Sequence, residues 1–255
     1  MIAMLSRLFS GSTKADATYQ APPATRVYAV GDIHGQLDLL RRLRELIADD
    51  AQVDRRERNV IVYLGDYIDR GPDSRGIVEL FLDEPMAGFE EIYLKGNHED
   101  YMLQFLENPG IGESWYLNGG DTTLMSYGVE RTVIAAGKGR FVAMCDRLQR
   151  KLPVEHLVFL RSLTMYHMEG DYLFVHAGIR PGRPVENQEP HDLLWIREEF
   201  LSSNADHGCC VVHGHSISPE PQMRRNRIGI DTGAYYTGRL TGLVLDGAER
   251  RILQT

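Results

Sequence analysis

The stretch Val27-Tyr28-Ala29-Val30-Gly31-Asp32-Ile33-His34-Gly35 passes from an apolar run into two ligand-type side chains set between glycines. Leu37, Leu40, Leu43 and Ile47 then follow at three- and four-residue steps. Four apolar residues read as a buried strand, and the stepped leucines as one face of a helix. The same order recurs twice: Val60–Leu64 precedes a helical pattern over Ser74–Leu82, and Ile92–Leu94 precedes one over Glu99–Leu106. Further strands are expected at Tyr172–Val175, Cys209–Val212, Ile228–Ile230 and Leu240–Leu245, with more antiparallel pairing in the second half. Between Asn108 and Gly170 the pattern changes to glycine-rich turns around Leu117–Asp121 and a helix over Phe141–Gln149. That stretch reads as a cap inserted over the sheet, and the alternation as a whole reads as an α/β fold.

Chemistry gathers where the strands end. After the first comes Gly31-Asp32-Ile33-His34-Gly35, after the second Gly65-Asp66-Tyr67-Ile68-Asp69-Arg70-Gly71, after the third Gly96-Asn97-His98-Glu99, and later His176-Ala177-Gly178 and His213-Gly214-His215. In α/β sheets ligands collect outside the carboxyl ends of strands, so five segments distant in sequence can meet in one crevice. A divalent ion needs oxygen or imidazole ligands at about 2.0–2.3 Å, and neighbouring glycines let the chain turn sharply around it. Asp32 and His34, two residues apart, can face one ion; Asp66 can bridge two; Asn97, His176 and a final histidine complete a second site. The nitrogen and oxygen donors, without thiolate, suit manganese, iron or zinc and disfavour calcium or a cysteine-zinc site. Singly, an aspartate after a strand is more often a helix cap. Five matched junctions in order are not explained that way.

GDIHG, GDYIDRG, GNHE, HAG and GHS resemble the metallophosphoesterases of the phosphoprotein phosphatase type over about residues 26–245. Trp115–Gly120, Leu194–Glu198 and Ile230–Ala234 are similar to segments of the bacteriophage lambda and bacterial protein phosphatases in that family. The resemblance implies a β-sandwich flanked by helices, with a dinuclear metal site at the strand ends. It assigns Asp32, His34 and bridging Asp66 to one divalent ion, and Asp66, Asn97, His176 and His215 to the other, leaving His213 behind the ligands. Manganese is expected first, with iron, zinc or magnesium as alternatives. Two such ions lower the pKa of a bridging water, and the resulting hydroxide attacks phosphorus directly. Arg70 and Arg197 would hold phosphate oxygens, while His98 would protonate the leaving oxygen with Asp69 orienting its ring. The implied activity is removal of phosphate from serine or threonine in a phosphorylated protein or peptide. Dinucleoside tetraphosphate hydrolases share the scaffold but typically carry Ala at the position of Asp69 and Asp at that of Glu99. A non-catalytic scaffold would show degraded ligands, and none is degraded here.

The 255 residues, with 36 acidic against 28 basic side chains, carry a formal net charge of −8. An acidic chain lacks the basic surface that binds nucleic acid or anionic lipid, and no apolar run approaches the roughly 20 residues that cross a bilayer. Cys145, Cys209 and Cys210 have no framework spacing, which points to buried thiols in a reducing, cytoplasmic setting. Residues 1–25 lack the charged start and continuous apolar core of an export signal and are expected to form a flexible tail. Residues 26–255 are expected to form a single domain, with its cap at about 108–170. Arg224, Arg225 and Arg227 read as a solvated loop.

Overall fold

The computed structural model describes residues 19–129 and 139–255. Three strand-then-helix units open the chain: β1 (Thr25–Val30) and α1 (Leu37–Val53), β2 (Arg58–Tyr63) and α2 (Ser74–Asp83), β3 (Glu90–Tyr93) and α3 (Asn97–Glu107). Further helices follow as α4 (Gly112–Trp115), α5 (Asp121–Ser126), α6 (Arg140–Lys151) and α7 (Val154–Ser162). The second half contains β4 (Tyr166–Glu169), β5 (Tyr172–Val175), α8 (Pro190–Trp195), α9 (Glu198–Leu201), β6 (Cys210–His213) and β7 (Gln222–Met223). It ends with β8 (Arg227–Gly229), α10 (Ala234–Thr237), β9 (Thr241–Asp246) and β10 (Glu249–Gln254).

Two five-stranded sheets result, ordered β10-β9-β1-β2-β3 and β4-β5-β6-β8-β7. β1, β2 and β3 pair in parallel, whereas β9 lies antiparallel to β1 and β10. The sheets pack face to face through alternate residues: Val27, Ala29, Val60 and Val62 from one meet Tyr172, Phe174, Val212 and Ile228 from the other. Because side chains alternate across a strand, Tyr28, Val30, Ile61 and Tyr63 point the other way and share a core with Leu40, Leu43, Ile77, Phe105, Leu148 and Leu160. On the outer side of the second sheet, Leu173, Val175 and Val211 pack with Leu193, Ile196 and Phe200. Helix, sheet, sheet and helix thus form four layers, and both faces of each central strand are covered. This explains why β1 is buried along its whole length.

Several local expectations change. The glycine-rich run at 116–120 is a wide helical turn that joins α4 to α5; Gly119 takes φ +104° within it. A Cβ at Gly119 would sit 2.7 Å from the Arg70 backbone nitrogen, so the glycine is what allows this turn to press onto the Arg70 main chain. Residues 1–18 of the expected tail lie outside the described residues, but Tyr19–Thr25 is docked. The Ala21 N–H donates to the Gly247 carbonyl at 2.9 Å, Gln20 and Asp171 bond each other, and β1 already begins at Thr25. Arg227 is a buried strand residue whose guanidinium donates to the Leu201 and Ser203 carbonyls, whereas Arg224 and Arg225 are exposed. All three cysteines are buried free thiols. Among the described residues no helix is long and apolar enough to cross a membrane.

Phe174 has no exposed surface and lies between the sheets. Phe174→Ala should therefore destabilise the fold by about 3–5 kcal/mol, read as a lower urea midpoint at unchanged slope. A loss below about 1 kcal/mol would contradict the packing described.

Candidate metal centre

The carboxylate of Asp66, 2% exposed, lies at the middle of the site. Its Oδ2 is 3.5 Å from His176 Nε2, 3.6 Å from His34 Nε2 and 3.9 Å from His98 Nε2, and its Oδ1 accepts the His98 backbone N–H at 3.1 Å. Burial alone would raise its pKa, but His176, His98, His34 and His215 reverse this and hold the carboxyl well below its usual range. Two groups of three ligand atoms lie within 4.8 Å of one another: His34, Asp66 and His98, and Asp66, His176 and His215. Asn97 joins the second group, its Oδ1 being 2.9 Å from both His176 Nε2 and His215 Nδ1.

The donor set fits a cation. His176 Nδ1 donates to the Leu64 carbonyl at 2.9 Å, and burial keeps this ring's pKa below its ordinary value. With Nδ1 committed to that carbonyl, a neutral ring turns its Nε2 lone pair to the Asn97 oxygen, acceptor against acceptor, a contact that a cation between them relieves. His34 also has Nδ1 on a backbone carbonyl, that of Ile68 at 2.8 Å, while its Nε2 lies 3.6 Å from Asp66 Oδ2 and 3.0 Å from the Arg70 guanidinium. Ligands about 2.1 Å from one ion stand about 3.0–3.4 Å apart, close to the separations of 2.9–3.6 Å found here. These groups could hold divalent ions through imidazole and oxygen.

Asp32 is placed differently from His34. Its two oxygens take the His215 backbone N–H at 3.2 and 3.0 Å, and it is not a member of either close group. Burial, with Asp231 and Asp66 adding, raises its pKa well above the ordinary value; burial also pushes Asp231 up to about 6. Arg70 Nη1 lies 3.0 Å from His34 Nε2, and its guanidinium stands 4.9 Å over the Tyr235 ring. Arg197 is exposed, and its Nη1 lies 3.5 Å from Ser216 Oγ, next to His215 in the chain. His213 faces Phe200 at 5.1 Å and donates to the Gly214 carbonyl, so it stands behind the ligands; burial lowers its pKa to about 4.

The backbone explains how these groups are aimed. Six non-glycine residues have left-handed φ among the described residues, and five of them are His34, Asp66, Asp69, Arg70 and His215. Such a conformation costs on the order of 1–2 kcal/mol each, and every one of the five N–H groups has a fixed partner. His34 donates to the Asp66 carbonyl, Arg70 to the Gly119 carbonyl, His215 to Asp32, and Asp66 to Glu99. Asp69 donates to Thr123 Oγ1 and Ser74 Oγ. Glu99, without exposed surface, also takes the N–H groups of Tyr67, Ile68 and Gly96. Burial, with Asp66 adding, pushes its pKa up to about 7.

Asp69 accepts from His98 Nδ1 at 2.7 Å. Burial would lower the His98 pKa, but Asp66 and Asp69 outweigh it and the ring's pKa is raised. Sequence reasoning did not assign parts to Glu99, Asp231, Tyr235, Trp115 or Thr123. The signal for Trp115 and Asp231 was their place in two of the family-like segments.

The family described as Calcineurin-like phosphoesterase matches residues 25–239. The chain is 33% identical over 226 residues to "Serine/threonine-protein phosphatase 1" of Salmonella typhimurium, covering 84% of this chain and 89% of that protein. It is 25% identical over 237 residues to "Bis(5'-nucleosyl)-tetraphosphatase PrpE [asymmetrical]" of Bacillus thuringiensis, covering 84% and 88%. Among solved structures, a cold-active protein tyrosine phosphatase aligns with TM-score 0.55 and 18% identity over 92% of this chain and 81% of that one, a likeness of fold.

Asp66→Asn weakens the one carboxylate common to both ligand groups. Metal content measured after dialysis should fall from two ions per chain to one or none, and hydrolysis should drop by about 10³-fold or more. Two retained ions with normal turnover would contradict the bridging position.

Proposed function

The chain belongs to the calcineurin-like phosphoesterase family, and on that premise we propose that it removes phosphate from serine and threonine side chains of proteins. In this reading Asp32, His34, Asp66, Asn97, His176 and His215 hold two divalent ions, with manganese first and iron, zinc or magnesium as alternatives. When bound, the ions supply Lewis acidity toward water and a phosphoryl oxygen.

The protein's own groups do the rest. Arg70 and Arg197 flank the cage and hold equatorial phosphate oxygens by charge-assisted hydrogen bonds, which orient the ester and offset charge as it develops. His98 keeps Nδ1 on Asp69 and turns Nε2 toward Asp66, so Nε2 is the atom that delivers a proton to the leaving oxygen. The observation that carries this reading is the 2.7 Å contact between His98 and Asp69, because an alkoxide leaving from serine needs an acid. The Salmonella relative supports it further. Dinucleoside tetraphosphate hydrolysis is the second reading, favoured by the Bacillus relatives. The presence of Asp69 and Glu99, where such hydrolases typically carry Ala and Asp, weighs against it.

The metal-stripped protein, restored with Mn, Mg or Zn, should be assayed on phosphoserine, phosphothreonine and phosphotyrosine peptides beside diadenosine tetraphosphate. The highest kcat/KM is expected on the serine and threonine esters; preference for the dinucleotide would overturn the reading. His98→Asn should slow a phosphoserine peptide by about 10²–10³-fold and para-nitrophenyl phosphate much less, since that leaving group needs little protonation. Equal slowing of both would remove His98 from the acid role.

A further inference from the structure

Asp69 is buried completely, yet its carboxylate is fixed by three donors from three helices. His98 Nδ1 on α3 lies 2.7 Å from Oδ2, Trp115 Nε1 at the end of α4 donates to the same oxygen at 2.9 Å, and Thr123 Oγ1 on α5 donates to Oδ1 at 2.6 Å. Thr123 Oγ1 in turn accepts the Asp69 N–H at 2.9 Å and lies 2.8 Å from Ser74 Oγ, so hydroxyl and backbone close a ring. Neither Trp115 nor Thr123 has exposed surface. The indole leans on Phe105 at 4.8 Å, and a Cβ at Gly120 would stand 2.5 Å from it. The direction of the Trp115 N–H is therefore set by packing.

A lone hydrogen bond would leave the carboxylate plane free to turn, and the imidazole with it. Three bonds at fixed angles allow one orientation. We propose, building on the phosphatase reading above, that Trp115 and Thr123 are positioning residues for proton delivery: they fix the Asp69 carboxylate so that His98 Nε2 points at the leaving oxygen. The ester P–O bond breaks with its electron pair passing to the leaving oxygen, which takes the Nε2 proton, while a water oxygen forms the new bond to phosphorus and its protons leave with the phosphate, released as dihydrogen phosphate. His98 is left neutral with Nδ1–H still on Asp69. The segment from Trp115 to Thr123 thereby belongs to the reaction machinery rather than to a cover over it. The same segment receives the Arg70 N–H on the Gly119 carbonyl at 3.1 Å, so the acid and one phosphate-binding arginine are set by one stretch of chain.

The test uses the Mn-loaded enzyme and the variants Trp115→Phe, Thr123→Val and Thr123→Ser. Trp115→Phe and Thr123→Val should each lower kcat for a phosphoserine peptide about tenfold, as expected for loss of one hydrogen bond to a charged group. KM should stay within about twofold, para-nitrophenyl phosphate should be slowed less than about twofold, and Thr123→Ser should restore the peptide rate. Equal slowing of both esters, or a loss carried by KM, would reduce the pair to a structural role and overturn the proposal. If Trp115→Phe does not fold, Thr123→Val carries the kinetic arm. A second readout needs no turnover: with two tryptophans in the chain, the Trp115 indole N–H resonance is identified by its loss in Trp115→Phe. It should move on Asp69→Asn, and an unmoved resonance would overturn the contact on which the proposal stands. Wild-type protein that hydrolyses neither ester would overturn the phosphatase reading and the proton-delivery role together, whereas ester hydrolysis with indiscriminate variants would overturn the positioning role alone.

Discussion

One buried carboxylate, that of Glu99, accepts backbone N–H groups from Asp66, Tyr67, Ile68 and Gly96 and so locks the turn after β2 onto the first turn of α3. The close approach needs glycine at 96, because a Cβ there would lie 2.2 Å from Asp66 Oδ1. Asp66 is thereby held at a left-handed φ, its carboxylate facing three imidazole Nε2 atoms, and its carbonyl fixes His34 in turn. Strain of this kind persists only where surrounding contacts over-determine it. Here two carboxylates and two carbonyls each hold one strained N–H and two hydroxyls share the fifth, so the cage is a property of the loops' hydrogen bonds more than of any single side chain.

The electrostatics follow from that cage. A chain of formal net charge −8 gathers four histidines and two arginines around the buried carboxylates of Asp32, Asp66, Asp69, Glu99 and Asp231, and two divalent ions would shift the crevice toward positive charge. A bound ion dominates its local field, so the acidic surface says little about the sign of the substrate. It does restrict extended contact with polyanions, which suits one phosphorylated side chain better than a nucleic acid strand.

Much of this architecture was legible in the sequence because the central strands β1 and β2 are apolar runs that end abruptly in Gly-Asp, a sharp boundary between periodicities. β4, β7 and β10 were not, since they border the second sheet or close the first and carry polar residues such as Glu169, Gln222 and Arg250 that show no apolar run. The 116–120 turn was misread because Gly-Gly is usually punctuation, whereas here a glycine serves close packing against Arg70. Arg227 was misread because charge outweighed pattern; it shares a buried strand with Ile228 and Gly229, and its head finds two carbonyls. The contacts of Trp115 and Thr123 with Asp69 span 46 and 54 residues, a separation that local periodicity does not encode.

The central claim is that the imidazoles, Asn97 and Asp66 form a cage for two divalent cations. Anomalous scattering from crystals of the protein grown with manganese tests it most directly. Two peaks are predicted, both adjoining Asp66, one bounded by Asn97, His176 and His215 and the other by His34. Peaks confined to surface carboxylates, or none at the cage under saturating metal, would contradict the account.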